Sequence, residues 1–440
     1  MTVWWPTSTD GGSKDVAGLP AGRRVAGRLR PPSSKSLTHR ALALALLSRQ
    51  RTVLVNPLES DDTGLFLAAL RVLGHRTERA GDALEILPPA FPATGGELFC
   101  GNAGTMFRFL VAIAATLPGA VRIDGVERLR ERPVRPLTDA LRQLGVAIDF
   151  AGQEGHAPLV VRGGRLAGGA VHLDASASSQ YLSALLLAGQ RAEGPLEIRA
   201  PELASAPYID LTLDMIATFG GRVDTLGDSR WIAHPSALRA TEVEIEADYS
   251  AAAYPAAAAA LTGGKVRIDG AVTGSRQGDR RLLELLAEMG AQVAWSEGGV
   301  TVGGGSRLVA IDADLGDIPD QVPTLAALAP FAHGTTRIRN VAHLRIKESD
   351  RLAAMTSELR KAGAEVDELP DGLVVHGSWA EREPPDDFVL VDPHGDHRIA
   401  MAMALVGLRR PNLHVGDPGC VAKSYPDFWR DLARLVEATA

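Results

Sequence analysis

Cationic and hydroxyl side chains recur along this chain in small polar loops, each just before an apolar stretch. The first loop contains Lys35 and Ser36, and Arg40 shares a helical face with Ser36 if a helix begins there. The second loop contains Gly104 and is followed by Arg108. Helix N-termini present unpaired backbone N–H groups and partial positive charge, which favour phosphate and carboxylate ligands. The pattern therefore predicts several anion sites.

Later loops add hydroxyl, amide, acidic and further basic groups. The candidates are Arg132, Ser178, Ser179, Gln180, Ser205, Tyr208, Asp320, His343, Lys347, Glu348, Arg351, His397, Arg398 and Lys423. Helix caps and solvated charged faces are the alternative interpretation of such residues. His343 and His397 fit a hydrogen-bonded packing role equally well, whereas Arg40 and Arg398 lead directly into apolar stretches and so favour a functional role.

The sequence lacks the motifs of several other chemistries. No set of Asp, Glu and His has a recognisable metal-ligand spacing, and neither Cys100 nor Cys420 lies in a thiolate-activating motif. Gly-x-Ser-x-Gly is absent, and no dinucleotide-binding glycine motif follows a strand. Many cations with hydroxyls and a few carboxylates suit group transfer between two anions by acid–base chemistry, with no metal and no organic cofactor.

The elements that position these loops recur six times along the chain. Apolar stretches predict six buried helices: Leu37–Leu47, Met106–Leu117, Gln180–Ala188, Ala251–Leu261, Val322–Ala332 and Arg398–Leu408. A short strand follows each one: Thr52–Val55, Val121–Asp124, Leu196–Arg199, Lys265–Asp269, Thr336–Arg339 and Asn412–Val415. A second, amphipathic helix comes next: Leu65–Leu73, Leu137–Leu144, Leu211–Phe219, Arg281–Met289, Leu352–Ala362 and Phe428–Val436.

Two further strands are predicted to close each repeat, as in Leu159–Arg162 with Ala170–Leu173. The last repeat lacks this pair, and Arg24–Arg30 is expected to supply a strand to it. Most amphipathic helices are expected to end at a glycine: Gly74, Gly145, Gly220, Gly290 and Gly363.

The six repeats predict an α/β (α+β) protein of two similar domains. Residues 1–32 plus 247–440 form a discontinuous domain of three repeats, and residues 33–246 form the second. The length of 440 residues agrees, because a single core rarely grows beyond about 250–300 residues. Two unrelated α/β domains are the alternative, which six matching loop-to-helix junctions disfavour.

Composition excludes several classes of protein. An excess of 53 acidic over 46 basic residues argues against a nucleic-acid partner. The apolar stretch Ala251–Leu261 is too short to cross a bilayer, so no membrane association is expected. Two cysteines cannot build a disulfide framework, and the segment Met1–Pro6 lacks the pattern of a signal peptide, so we expect a cytoplasmic protein.

Ordered motifs give this chain a family resemblance from about Val25 to its C-terminus. They are Ser34-Lys35-Ser36 with Arg40, Gly101-Asn102-Ala103-Gly104-Thr105 with Arg108, Glu131-Arg132-Pro133, Ser178-Ser179-Gln180, Ser205-Ala206-Pro207-Tyr208, Ile318-Pro319-Asp320, Lys347-Glu348-Ser349-Asp350-Arg351, Asp396-His397-Arg398 and Ala422-Lys423. In these motifs the chain resembles 5-enolpyruvylshikimate-3-phosphate synthase, an enolpyruvyl transferase of the shikimate pathway.

The resemblance implies two domains, each of three βαβαββ units about a pseudo-threefold axis, with an active-site cleft between them. It implies transfer of the enolpyruvyl group of phosphoenolpyruvate to shikimate 3-phosphate, with release of phosphate. A monomer without metal or organic cofactor is expected. The implied shikimate 3-phosphate site is Ser36, Arg40, Ser178, Ser179, Gln180, Ser205, Tyr208, Asp320, His343 and Lys347. The implied phosphoenolpyruvate site is Lys35, Gly104, Arg132, Gln180, Arg351, Arg398 and Lys423.

The resemblance also implies an addition followed by an elimination. We hypothesise that Asp320 accepts the proton of the attacking hydroxyl and that Glu348 donates the proton to C3 of phosphoenolpyruvate. Lys35 and Lys423 then stabilise charge on the departing phosphate.

The chain departs from the family pattern at three positions. Ser33 stands where the family usually has Gly, so backbone strain is expected if that position needs a positive φ. His343 stands where many relatives have Asn, and Phe109 stands where many relatives have Pro. Gly104 is the residue usual in glyphosate-sensitive members, so the resemblance implies inhibition by glyphosate.

Two other functions compete with this interpretation. One is the sister enolpyruvyl transferase, which acts on UDP-N-acetylglucosamine and usually carries a Cys on a mobile loop of its second repeat. No Cys lies between Cys100 and Cys420, and Lys35-Ser36 replaces the Lys-Asn of the sister family. The other is a catalytically inactive module that binds phosphorylated metabolites, against which the expected catalytic carboxylates argue.

Overall fold

A computed structural model describes residues 16–18, 21–91, 93–239, 241–305 and 307–437. The segment Met1–Pro6, on which the expectation about a signal peptide depends, lies outside the described residues.

The chain divides into two compact units. The discontinuous unit contains the described residues up to Pro32 and from Ala247 onward, and the continuous unit is Ser33–Glu246. Each unit has its own hydrophobic core, built mainly from aliphatic side chains. Among the described residues, each unit also contains three small β-sheets.

Six buried helices carry the polar loops at their N-termini. They are Lys35–Leu47, Gly104–Ala114, Gln180–Gly189, Tyr249–Thr262, Val322–Leu328 and His397–Gly407. Side-chain caps begin three of them, from Ser34, Asp248 and Asp396. The fifth ends earlier than predicted because a 3₁₀ turn follows it at Ala329–Phe331, around Pro330, which has no N–H to continue the helix.

The amphipathic helices follow the predicted pattern and begin up to four residues earlier than predicted. They are Asp61–Val72, Arg135–Gln143, Pro207–Thr218, Arg281–Glu288, Arg351–Lys361 and Phe428–Glu437, with a short extra helix at Glu127–Glu131. The early starts are first turns that contain polar residues or proline, such as Asp61, Asp62 and Pro207, which an apolar pattern does not register. All five predicted glycines adopt a positive φ after the helix ends, which confirms their capping role: Gly74, Gly145, Gly220, Gly290 and Gly363.

Five sheets share one topology, in which two parallel strands are followed by an antiparallel hairpin. In sheet order the continuous unit contains Thr241–Glu244, Thr52–Val55, Ala83–Leu87 and Arg76–Ala80; Gly95–Phe99, Gly119–Asp124, Leu159–Gly163 and Ala147–Phe150; and Gly169–His172, Leu196–Arg199, Arg230–His234 and Arg222–Thr225. The discontinuous unit contains Ala26–Leu29, Lys265–Asp269, Gly299–Gly303 and Gln292–Ser296; Asp312–Asp314, Thr335–Arg339, Gly372–His376 and Glu365–Leu369; and the three-stranded Val389–Val391, Leu413–Gly416 and Val16–Ala17. The predicted βαβαββ repeat is confirmed.

The closing strands were predicted wrongly in one respect. Leu159–Gly163 forms its hairpin with Ala147–Phe150, whereas Gly169–His172 pairs in parallel with Leu196–Arg199 and so begins the next repeat. A parallel pair needs a crossover helix between its strands, and the buried helix Gln180–Gly189 provides it.

The N-terminal strand also differs from the prediction. Ala26–Leu29 pairs in parallel with Lys265–Asp269, in the first sheet of the discontinuous unit rather than in the last. The last sheet instead receives Val16–Ala17, antiparallel to Leu413–Gly416. In each unit, the parallel partner of the first sheet comes from a strand close to the point where the chain passes between the units: Ala26–Leu29 in the discontinuous unit and Thr241–Glu244 in the continuous unit.

Candidate active site

The Arg40 side chain is buried in the first helix of the continuous unit, with 1% of its surface exposed. Its guanidinium donates from Nε to Thr212 Oγ1 at 2.9 Å, from Nη1 to the Ser36 carbonyl at 2.9 Å and from Nη2 to the Tyr208 carbonyl at 2.8 Å. The Phe109 ring centroid lies 5.6 Å from Arg40 Cζ. Burial lowers the pKa of Arg40 to about 10, so the group stays charged at neutral pH.

Gly104 begins the second buried helix and leaves space for two guanidinium groups. A Cβ at this position would lie 2.6 Å from Arg132 Nη2 and 2.8 Å from Arg108 Nη1. Arg132 Nη1 donates to the Asn102 carbonyl at 3.2 Å in the preceding loop. The absent side chain therefore lets both cations flank a helix N-terminus, which is a favourable place for an anion.

Gln180 connects the second and third helix N-termini of the continuous unit. Its Oε1 accepts from Arg108 Nη1 at 2.8 Å, and its Nε2 donates to Thr105 Oγ1 at 3.0 Å. The Gln180 backbone N–H donates to Ser178 Oγ at 3.3 Å, and Ser178 and Ser179 are both buried. The hydroxyl and amide groups of this loop therefore share one network with an arginine.

Ser205 holds a left-handed backbone conformation with φ of 56° and is 6% exposed. Its carbonyl accepts from the Tyr208 N–H at 3.2 Å, at the start of the helix Pro207–Thr218. A non-glycine residue in this region costs about 1–3 kcal/mol, and such costs cluster at functional sites.

Asp62 is a site residue that the sequence analysis did not name. Its carboxylate is buried, and Oδ2 accepts from Lys35 Nζ at 3.3 Å. The Ser60 capping box marks the start of this helix in the sequence, but no local pattern predicts contact with a lysine 27 positions earlier. Asp62 orients the Lys35 ammonium.

Arg351 is the centre of a charge network in the discontinuous unit, and its side chain is 1% exposed. It donates from Nη1 to Asp320 Oδ1 at 2.8 Å, from Nη2 to Glu348 Oε2 at 2.9 Å and from Nε to Asp396 Oδ2 at 2.7 Å. We call these four residues the Arg351 cluster. Burial alone lowers the pKa of Arg351, but the three carboxylates outweigh it and raise the pKa above its ordinary value.

Asp320 is shared between two arginines. Arg398 Nη2 donates to its Oδ2 at 2.8 Å, and Arg351 holds its other oxygen. Burial alone raises the pKa of Asp320, but Arg398 and Arg351 hold it well below the usual range of a carboxyl group. The Asp320 side chain is 25% exposed, so an ionised carboxylate faces solvent within this network.

Asp396 has no exposed surface and fixes the two arginines. It caps the helix His397–Gly407 by accepting from the Arg398 N–H at 3.0 Å, and it also accepts from Ser349 Oγ at 3.1 Å. The sequence motif contained Asp396 but gave it no role. His397, beside it, is buried with Nδ1 3.6 Å from Asp396 Oδ1.

His343 and Lys347 lie at the 3₁₀ turn Ala342–Ile346 and just after it. Burial lowers the pKa of His343 to about 4, and the Lys347 charge acts in the same direction, so His343 is neutral at pH 7. Its Nε2 is buried without a hydrogen-bond partner among the described residues. Lys423 is also buried, at the end of the 3₁₀ turn Pro418–Lys423.

The sequence-predicted residues thus form two groups, one in each unit. Lys35, Ser36, Arg40 and their neighbours line helix N-termini of the continuous unit, while Asp320 and its partners form the network of the discontinuous unit.

Ser33 does not adopt a positive φ, so the strain that its replacement of Gly implied does not arise. Within the described ranges, no three His, Cys, Asp or Glu side chains are grouped to hold a metal ion. The described part of the chain also contains no helix that is both long and apolar enough to cross a membrane.

Solved structures share this fold. The EPSP synthase of Acinetobacter baumannii superposes with a TM-score of 0.77 and 28% identity, covering 96% of this chain and 99% of that one. The enolpyruvyl transferase NikO of Streptomyces tendae superposes with a TM-score of 0.74 over 94% of this chain and 96% of its own, at 19% identity, which supports the fold alone. The predicted fold class is therefore confirmed.

Sequence relatives extend over nearly the whole chain. The 3-phosphoshikimate 1-carboxyvinyltransferase of Syntrophobacter fumaroxidans is 43% identical over 417 residues, which are 93% of this chain and 97% of that protein. That of Nitrosomonas europaea is 41% identical over 432 residues, or 95% and 98% of the two chains. The family model of EPSP synthase (3-phosphoshikimate 1-carboxyvinyltransferase) matches residues 19–432. This chain therefore belongs to the EPSP synthase family.

Proposed function

We propose that this protein transfers the enolpyruvyl group of phosphoenolpyruvate to the 5-hydroxyl of shikimate 3-phosphate and releases phosphate. The observation that carries the proposal is the Arg351 cluster together with Arg398, because an ionised, partly exposed Asp320 lies between these two arginines. That arrangement offers a proton acceptor and two cations within one network, which the reaction of two anions needs. Membership of the EPSP synthase family supplies the identity of the substrates.

For shikimate 3-phosphate we propose the residues predicted from the sequence. The phosphate would be held by the serine-rich loop Ser178-Ser179-Gln180 and by the hydroxyls near Tyr208. Arg40 supplies a fixed positive charge next to Tyr208, because three hydrogen bonds already orient its guanidinium. The unpartnered Nε2 of His343 is available for a substrate hydroxyl.

For phosphoenolpyruvate we propose a set of five cations, with Gly104 and Gln180 completing the site. The cations are Lys35, Arg132, Arg351, Arg398 and Lys423. A ligand that carries a phosphate and a carboxylate needs several charge-assisted hydrogen bonds, and arginines provide them in bidentate form.

The cations also explain how Asp320 would become a base. In the structure Arg398 and Arg351 hold the pKa of Asp320 low, which makes it a weak proton acceptor. Binding of a multiply charged anion to the same two arginines would offset their charge, so the pKa of Asp320 should rise when phosphoenolpyruvate binds. The base would then be activated only in the substrate complex.

The proposed reaction proceeds through a tetrahedral intermediate. The 5-hydroxyl oxygen forms a bond to C2 of phosphoenolpyruvate, its proton passes to Asp320, and Glu348 donates a proton to C3. In the second step a methyl proton returns to Glu348, the double bond forms again, and the C2–O bond to phosphate breaks. The departing phosphate takes up the proton that Asp320 had accepted, which restores the carboxylate. Lys35 and Lys423 would stabilise the charge on the departing phosphate.

We further propose that both units contribute to one active site in a cleft between them, because the two substrates must reach bonding distance and the candidate residues are divided between the units. Closure of the units on the substrates would then exclude water. We also propose a cytoplasmic monomer that needs neither metal nor organic cofactor and that glyphosate inhibits.

The decisive experiment measures phosphate release by the purified protein without added metal. We expect release only when shikimate 3-phosphate and phosphoenolpyruvate are both present, and less release when glyphosate is added. Release with UDP-N-acetylglucosamine instead would assign the protein to the sister transferase. Binding of substrates without release would favour the inactive module.

Gly104→Ala should raise the KM for phosphoenolpyruvate by roughly ten- to a hundredfold. The new Cβ would lie 2.6 Å from Arg132 Nη2, so the guanidinium must move and lose a charge-assisted hydrogen bond worth about 1.5–3 kcal/mol. Steady-state kinetics with each substrate varied should show a much smaller change in the KM for shikimate 3-phosphate.

The matched control for this variant is Gly64→Ala. Gly64 lies in the helix Asp61–Val72, where a Cβ would meet no atom within 4 Å. Its kinetics should equal those of the wild type. An unchanged KM for phosphoenolpyruvate in Gly104→Ala would remove Arg132 from the proposed site.

A further inference from the structure

A second carboxyl group, Asp279, takes no part in the mechanism proposed for the Arg351 cluster. It is hydrogen-bonded to the start of the helix Tyr249–Thr262, and both the turn that contains Asp320 and the helix that begins at His397-Arg398 contact that helix. Asp279 is 6% exposed and lies in the 3₁₀ turn Gly278–Arg280. Its Oδ2 accepts from Ser250 Oγ at 2.7 Å, in the first turn of the buried helix Tyr249–Thr262. Burial of an ionised carboxyl group costs free energy, because the group loses its contact with water.

The neighbouring residue keeps this turn in place. Gln277 is 5% exposed, and its Oε1 accepts from the Tyr249 N–H at 3.1 Å while its Nε2 donates to the Ala247 carbonyl at 2.8 Å. The turn is therefore attached at three points to the start of one helix, so the Asp279 carboxyl cannot rotate into solvent without breaking buried hydrogen bonds.

The charged groups that act on Asp279 are Asp320 and Arg398. Burial has the largest effect and the Asp320 charge adds to it, whereas Arg398 and the hydrogen bond from Ser250 act in the opposite direction. The result raises the pKa of Asp279 to about 6. Asp320 and Asp279 thus have pKa values pushed in opposite directions, a pattern typical of paired acid–base groups.

We propose that Asp279 is a positioning residue that sets the strength of Asp320 as a base through its own ionisation. The proposal rests on the proposed role of Asp320 as proton acceptor. An ionised Asp279 adds a negative charge near Asp320 and so stabilises the protonated form that Asp320 must reach during the reaction. A neutral Asp279 no longer stabilises the protonated form of Asp320, so turnover should fall as Asp279 becomes protonated.

The test compares the pH dependence of kcat between pH 5 and 9 in the wild type, Asp279→Asn and Ser250→Ala. In the wild type we expect kcat to decline as the pH falls through the pKa that Asp279 has in the substrate complex. Asp279→Asn should reduce kcat at pH 8 roughly three- to tenfold, because the lost charge changes the pKa of Asp320 by about one unit at most. The kcat of this variant should no longer decline at low pH in the way that the wild-type kcat does. Ser250→Ala removes a hydrogen bond that favours the carboxylate, so its decline should move to higher pH.

The two variants therefore shift the profile in different ways, which a merely structural role does not predict. Asp312→Asn, on an exposed surface pair with Arg339, serves as control and should follow the wild type. Profiles of Asp279→Asn and Ser250→Ala that coincide with that of the wild type would overturn the proposal. If Asp279→Asn does not fold, the proposal is still tested by Ser250→Ala, whose kcat should begin to decline at a higher pH than that of the wild type.

Thermal unfolding separates this proposal from the proposed function. Asp279 has a raised pKa when folded, so the folded protein binds more protons than the unfolded chain between about pH 4 and 6, and stability falls as pH rises through that range. Relative to the wild type, Asp279→Asn should melt at a higher temperature at pH 8 but at an equal temperature at pH 4. An equal difference at both pH values would refute the ionisation of Asp279, even if no turnover is found with any substrate.

Discussion

Asp320→Asn should lower kcat by about 10²–10⁴-fold, which is the usual contribution of a positioned general base. Asn has nearly the same shape as Asp and keeps one oxygen for one of the two arginines, but its NH₂ group cannot accept from the other, and the side chain can no longer take the hydroxyl proton. The measurement is phosphate release at saturating concentrations of both substrates. Because the cations remain, we expect the KM values to change much less than kcat.

The control for loss of a carboxylate is again Asp312→Asn, whose partner Arg339 lies half exposed in the same unit. Exposed ion pairs contribute about 0–1 kcal/mol, so its turnover and stability should stay close to those of the wild type. Turnover of Asp320→Asn near the wild-type rate would sink the assignment of Asp320 as base. The Arg351 cluster would then serve only to bind anions.

Local pattern accounts for most of the elements. The strands Thr52–Val55, Leu196–Arg199 and Lys265–Asp269 have the predicted bounds, because alternating apolar residues mark them and a turn or a helix follows. The strand partners were harder to predict. Thr241–Glu244 pairs with Thr52–Val55 across almost the whole continuous unit, and no local pattern specifies a partner so distant in sequence.

In the candidate site, too, local pattern identified some residues and gave no information on contacts between residues distant in sequence. Motifs identified the arginines and the partly buried carboxylates Asp320 and Glu348, since these residue types stand at recognisable helix starts. Three buried carboxylates received no role from the sequence: Asp62, Asp279 and Asp396, which act through contacts with residues 27 to 47 positions away. A buried Asp beside a Ser or Thr at a helix start has the appearance of a cap, so only the folded structure distinguishes an ion-pair partner from a cap.

Arg351→Met should reduce the free energy of unfolding by about 3–5 kcal/mol, the range measured when one member of a buried ion pair is removed. Met fills much of the volume of the arginine stem but leaves the carboxylates of Asp320, Glu348 and Asp396 without their shared cation. Asp396 has no exposed surface, so its charge cannot be hydrated instead. Urea denaturation followed by circular dichroism measures the loss.

A surface arginine with two carboxylate partners provides the matched control. Arg339 is 50% exposed and pairs with Asp312 and Asp314, so Arg339→Met should cost at most about 1 kcal/mol. A similar loss in both variants would mean that burial of the Arg351 cluster has no special effect on stability.

A double variant tests whether the loss comes from the carboxylates left behind. Arg351→Met with Asp396→Asn removes both the cation and the fully buried charge, so it should destabilise the protein by less than the sum of the single variants, with a coupling of about 0.5–3 kcal/mol. The deficit of Arg351→Met should also shrink as the pH falls toward 4, because protonation neutralises the abandoned carboxylates. Additive losses that do not change with pH would instead assign the effect of Arg351 to packing, and the charge network would then not be what orders this half of the site.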